Sequence, residues 1–380
     1  MTSGTARLDR LRDPLDELVA GHTVRWEDER AAISEIIDGC DTQALGPIVY
    51  HRLRDHARHV TWGADISARL EATAHAAAAF ELLRQREIAA VLGTLAADGI
   101  RPIVTKGVAL AYSVYDAPSL RPYADVDSLV RRDSVDAIKR TLARLGYAEA
   151  LSSAGETLFC QFQLVRRDRH GLEHAFDFHW KISTQAAFAE ALTYEELDAA
   201  AEPLPLLGPG LRRAGEVHAL LLACIHPVMH HRNVSRTIWL YDIHLLASRL
   251  SACEFEQFTD LAVEKRVAAI CARQLAIAAS RFGTRVPDRV FAALASQQAP
   301  EPSAAYLNPV RRWHHELIDN FRAREGWIDR LRLLREVLLP SPRYLVASHA
   351  RIGSFGYVLL PVLYIHRGLH GAWKVLTGRK

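Results

Sequence analysis

The chain has 380 residues, 49% of them hydrophobic and 24% charged, which leaves room for two or three domains and excludes a disordered or fibrous chain. Lys and Arg number 47 against 44 Asp and Glu, a net charge of +3, too balanced for a protein that holds nucleic acid by bulk charge. The five cysteines, Cys40, Cys160, Cys224, Cys253 and Cys271, are odd in number and form no CxxC pair, which fits structural thiols in a reducing compartment better than a disulfide framework or zinc ribbon.

Taken in chain order, the start "MTSGTARLDRLRDPLDEL" lacks the apolar run of a secretory signal, and the cytoplasm is the expected location. Residues 1–98 read as a helical segment. "LDRLRDPLDELVA", "EDERAAISEIIDGC" and "LGPIVYHRLRDHA" carry apolar residues at 3–4 spacing, and a long helix beginning at "ISARLEATAH" closes at Gly99. Residues 99–190 change texture to an α/β core. A β-branched "IRPIVTKG" leads to a helical "VALAYSVY", a turn-rich "DAPSLRP" and a strand-like "YADVDSLV". An amphipathic helix then runs from an N-cap at Asp133 or Ser134 to Gly146, and two extended runs, "FCQFQLVRRD" and "LEHAFDFHWKIS", flank the break "RHG".

Residues 191–298 read as a helical cleft domain, with "FEQFTDLAVEKRVAAICARQLAIAASRF" as one helix candidate. The Pro-rich "QQAPEPSAAYLNP" reads as a linker or lid, and residues 299–380 as a basic helical segment. Its apolar run "YVLLPVLYI" is far short of the ~20 residues that span a bilayer. Packing on the protein is the expectation for it, with contact at a membrane surface as the alternative. The fold class expected is α+β, a small mixed sheet with helices, flanked by helical segments on both sides.

Chemistry concentrates at "RPYADVDSLV". In a strand, Asp125 and Asp127 share a face at ~7 Å, and two ionised carboxylates there repel by ~2 kcal/mol at an effective dielectric of ~20. Either water relieves this in a turn or cations do in a strand. Alternation in "AFDFHW" puts Asp177 and His179 on one face, opposite Phe176 and Phe178. Three carboxylates on neighbouring strands, within roughly 5 Å of one another, are what a pair of divalent cations needs.

These residues resemble the nucleotidyltransferases of the DNA polymerase beta superfamily. More narrowly, "TKGVAL…YDAPSLRPYADVDSLV" followed by "FDFHW" is similar to a bacterial group of uncharacterised nucleotidyltransferases. The resemblance implies a polymerase beta-like fold, two Mg²⁺ ions and a nucleoside triphosphate such as ATP as substrate. It assigns Asp125 and Asp127 to both metals, and Asp177 to the catalytic metal and to deprotonation of an attacking hydroxyl. Gly107 matches the glycine facing the nucleotide phosphates. Where the superfamily has Gly-Ser this chain has Lys106-Gly107, so Lys106 replaces a hydroxyl contact with charge. Arg121 is either a bidentate phosphate donor or a surface arginine.

The expected activity is transfer of NMP from an NTP to a hydroxyl or phosphate acceptor on a small molecule or protein. A catalytically degenerate nucleotide-binding partner in a biosynthetic pathway is the alternative, and an RNA-modifying transferase would need a continuous basic groove. His226 and His230 stand at zinc-ligand spacing, but no HExxH forms and packing is expected; His230 or Arg232 touching the nucleotide is the functional option. Asp242, in an apolar helix with His244, requires an Arg or His partner. "RRWHHELIDNFRAREGW" reads as a salt-bridged helix face.

Overall fold

The computed structural model describes residues 14–21, 39–40, 43–55, 64–150, 160–231, 233–234, 236–296, 301–308, 311, 313–324, 326–347, 349 and 357–377. Of the helix expected over 27–40, residues 27–38 lie outside them. The chain opens with helices α1 (Pro14–Ala20), α2 (Gly46–Asp55) and α3 (Ala64–Ala97). Strand β1 (Ile103–Val104), helix α4 (Lys106–Ala111), strand β2 (Val126–Leu129) and helix α5 (Val135–Arg144) follow, then strands β3 (Ala148–Glu149), β4 (Gln161–Arg167) and β5 (Glu173–His179). Next come α6 (Tyr194–Ala199), β6 (Glu202–Pro203), β7 (Arg212–Arg213), α7 (Glu216–His231), α8 (Thr237–Arg249) and α9 (Ala252–Glu264). The last are α10 (Ala268–Phe282), α11 (Asp288–Ala295), a 3₁₀ helix (Pro302–Leu307), α12 (Trp313–Arg322), α13 (Trp327–Leu338), α14 (Pro342–Ala347) and α15 (Leu360–Thr377). β1 pairs antiparallel with β2 and parallel with β7, which pairs antiparallel with β6, while β3, β4 and β5 form an antiparallel run, the expected α+β class.

One compact unit takes residues 1–129 and 194–309. Its spine is α3, whose Ala, Leu, Glu and Arg content favours helix and which stops at Gly99 with φ +77, a conformation glycine adopts without a Cβ clash. Its core is helical. Leu220, Leu221, Cys224 and Ile225 of α7 are sealed, as are Ile243 and Leu246 of α8 and Ile270 and Leu275 of α10. A second unit takes residues 130–193 and 310–380. Here β4 and β5 pair antiparallel with Gln163 opposite Asp177, across a turn closed by Asp168, whose Oδ1 accepts from the backbone N–H of His170 and Leu172. Phe162, Phe176 and Phe178 stack on the buried face of that hairpin.

Three expectations are corrected. The single helix expected over 255–282 is two, α9 and α10, because Arg266 turns to φ +58 and Glu301 caps the N–H groups of Ala268 and Ala269. Half of the expected linker is instead the packed 3₁₀ helix, with Ser303 donating to Arg266 O at 2.6 Å; residues 297–300 lie outside the described ones. The run at 357–365 does not pack down: Val358, Val362 and Ile365 are exposed and only Leu363 is buried. No described helix is long and apolar enough to cross a membrane.

Candidate active site

The turn from β1 into α4 sets the first half of the site. β1 ends at Val104, and the Thr105 N–H donates to Asp127 O at 3.0 Å. Lys106 then adopts φ +53, a left-handed conformation that costs an L-residue about 1–2 kcal/mol and suits glycine. That turn delivers the Lys106 ammonium to Asp127 Oδ1 at 2.7 Å. Gly107 must be small, because a Cβ there would stand 3.0 Å from Cβ of Tyr123.

Asp125 does not share a strand face with Asp127. It lies in the bend before β2, since β1 is only two residues long and pairs Ile103 with Leu129 and Val104 with Ser128, leaving nothing for residue 125 to pair with. Asp127 itself is in the strand and buried. The Asp125 carboxyl is held above its usual range, first by burial and then by the charge of Asp127, against the pull of Lys106 and Arg84. Arg84 comes from α3 and donates to Tyr123 O, so the spine helix grips the loop that carries Asp125. One turn earlier Glu81 accepts from the hydroxyls of Tyr112 and, at 2.7 Å, Tyr123.

β5 carries further candidate ligands. Phe176 and Phe178 take the buried face, and alternation turns Asp177 and His179 to the other. Asp177 and His179 each offer one ligand atom, and these atoms lie within 4.8 Å of each other. His179 was not among the expected ligands. The same-face alternation of Asp177 and His179 was the signal that could have added His179. A carboxylate oxygen and an imidazole nitrogen on one face suit a divalent cation such as Mg²⁺ or Mn²⁺. The residues present therefore fit a metal.

Arg121 is not the surface arginine of one of its two expectations. It is buried, with Nε and Nη2 on the Asp242 carboxylate at 2.9 and 2.7 Å and Nη1 on Pro122 O at 2.7 Å. The Tyr115 hydroxyl donates to the same carboxylate at 2.7 Å, and burial pushes its own pKa well up. The reason is desolvation: Asp242, sealed within α8, needs a cation, as its apolar surroundings required. His244 hydrogen-bonds Thr284 at 2.9 Å through Nδ1 and packs on Tyr241 and Phe282, a helix-packing contact.

His226 and His230 pack as aromatics. His226 sits 5.3 Å from the Trp239 ring and 5.5 Å from His230, and burial, then the charge of Lys106, hold it well below the usual imidazole range, hence neutral. Neither belongs to a metal-binding trio among the described residues. Arg232 lies outside those residues. His226 and Trp239 wall a pocket that opens beside Lys106 and also meets Arg121, Asp242 and Arg213.

The model of a family described as "Uncharacterised nucleotidyltransferase" matches residues 29–283. No curated protein matches the chain.

Proposed function

We propose, from the premise that the chain belongs to the uncharacterised nucleotidyltransferase family, that it transfers a nucleoside monophosphate from a nucleoside triphosphate to a hydroxyl or phosphate acceptor. The observation that supports this reading is the pair of candidate ligands Asp177 and His179, whose ligand atoms lie within 4.8 Å of each other on one face of β5, in a chain whose family match also takes in Asp125 and Asp127. Asp125, Asp127 and Asp177 would hold Mg²⁺, with His179 as a further donor. A bound Mg²⁺ supplies charge neutralisation and Lewis acidity toward phosphoryl oxygens.

The chain's own residues do the rest. Lys106, paired with Asp127, is the residue that would meet a phosphate in this reading. Gly107 keeps the α4 turn free of a side chain where the phosphates approach. Asp177 takes the proton of the acceptor hydroxyl as its oxygen bonds to the α-phosphorus. The bond from that phosphorus to the bridging oxygen breaks, and pyrophosphate leaves with the electron pair. Arg121 holds Asp242 and the loop leading to Asp125, rather than phosphate. The pocket beside Lys106 is the proposed acceptor site.

A second reading rests on one observation, the Lys106 ammonium standing 2.7 Å from Asp127 where a cation would act. An internal ammonium substitutes for a metal in a nucleotide-binding partner that has lost catalysis. Incubation with labelled NTPs, Mg²⁺ and an acceptor panel separates the two. Pyrophosphate release that disappears in Asp127→Ala supports the transferase. Binding of Mg²⁺·NTP by calorimetry without turnover supports the partner protein, and activity unchanged in Asp125→Ala/Asp127→Ala overturns the catalytic assignment.

A further inference from the structure

Beyond residue 283, where the family match ends, the chain has a character of its own. Residues 337–380 contain Arg343, Arg351, Arg367, Lys374, Arg379 and Lys380 and no Asp or Glu. The net charge of +3 for the whole chain is thus +6 in its last 44 residues set against −3 in the rest.

Helix α15 lies in this acid-free stretch. Its Leu363 is buried, the Tyr364 hydroxyl donates to Pro340 O at 2.7 Å, and Arg367 Nη2 donates to Val337 O at 3.5 Å. Those contacts fix the rotation of the helix and turn the opposite side out. That side carries Val362, Ile365, Leu369 and Trp373, which are 59, 63, 67 and 45% exposed. At 3.6 residues per turn these four fall within about 80° of the helix circumference. An apolar stripe ending in Trp, flanked by His366, His370 and basic residues, is the composition of a helix that lies in a lipid interface. In the same unit α13 exposes Trp327, Leu331 and Leu338 in the same manner.

A second copy of the chain is the poorer occupant. Self-pairing would bring two acid-free, cationic segments together, and their like charges repel. An anionic lipid surface instead complements the charge and takes up the stripe. We propose that α15 docks the protein on anionic membrane surfaces, as a peripheral and not a spanning element. This inference is independent of the catalytic reading.

The test is flotation of the full chain with vesicles of phosphatidylglycerol and phosphatidylcholine, or of phosphatidylcholine alone, at low and high salt. The expected result is binding to the anionic vesicles that weakens at least tenfold at high salt. Ile365→Glu/Leu369→Glu, both at exposed positions, lowers it at least tenfold with the thermal midpoint unchanged, and Arg379→Gln/Lys380→Gln lowers it for anionic vesicles only. No binding at low salt overturns the proposal, as does equal binding by Ile365→Glu/Leu369→Glu. A dimer seen by sedimentation without lipid, and dissolved by the same double substitution, reassigns the stripe to a second copy and also overturns it.

Discussion

At Asp242 three donors converge on one carboxylate: two guanidinium nitrogens of Arg121 and the Tyr115 hydroxyl. Both ions are sealed, so each is tolerable only because of the other. Arg121→Met leaves Asp242 buried without its cation and is expected to cost about 3–5 kcal/mol, read as a lower midpoint in thermal unfolding. Arg121→Met/Asp242→Leu, which removes both charges, recovers most of that loss. A single variant as stable as the parent would contradict the pairing. From the sequence, an aspartate between Tyr241 and Ile243 in an apolar helix announces its need for a cation. It does not name Arg121, 121 positions away, because nothing local joins them.

Helix ends divide in the same way. α9 begins with "SACE", in which Ser251 and Glu254 cap each other's backbone N–H groups, a reciprocal motif written within four residues. α10 is capped by Glu301, 32 and 33 residues downstream, whose two oxygens accept from Ala269 at 2.9 Å and Ala268 at 3.1 Å. Ignorance of that distant cap is why α9 and α10 read as one helix. Glu301→Ala strips the cap and is expected to lower stability by about 1–2 kcal/mol, as a smaller midpoint in urea with the slope unchanged. An unaltered midpoint would mean that the break at Arg266 holds α10 by itself. The strands behave likewise: "FCQFQLVRRD" and "LEHAFDFHW" were legible by alternation, whereas β1 fell to two residues because its partners run out.

For the whole molecule, a cation that binds only the folded state stabilises it by mass action, about 2.7 kcal/mol at a hundredfold excess over its dissociation constant. Thermal unfolding in Mg²⁺ or Mn²⁺ is therefore expected at higher temperature than in EDTA, and Asp127→Asn should erase the difference. The pH dependence has a definite sign. The folded-state pKa of Asp125 is raised, so in the apo protein its ionisation costs stability as pH rises through that value, and the cost is relieved on acidification. Metal binding needs the ionised form and runs the opposite way. The cation-induced stabilisation should fade on acidification while the pH is still above the ordinary aspartate range. A shift that persists until pH 4 would argue that Asp125 is not a ligand.

The sequence by itself determined the α+β class, the long helix ending at Gly99, the hairpin with its phenylalanine face and the family, because periodicity, turn residues and short motifs act over a few neighbours. Only the tertiary structure decided that Asp125 stands outside the strand, that Arg121 belongs to Asp242, and that α15 shows its apolar stripe to solvent. Each of these depends on which distant groups share a buried space, and desolvation, unlike periodicity, is settled only once the chain has packed.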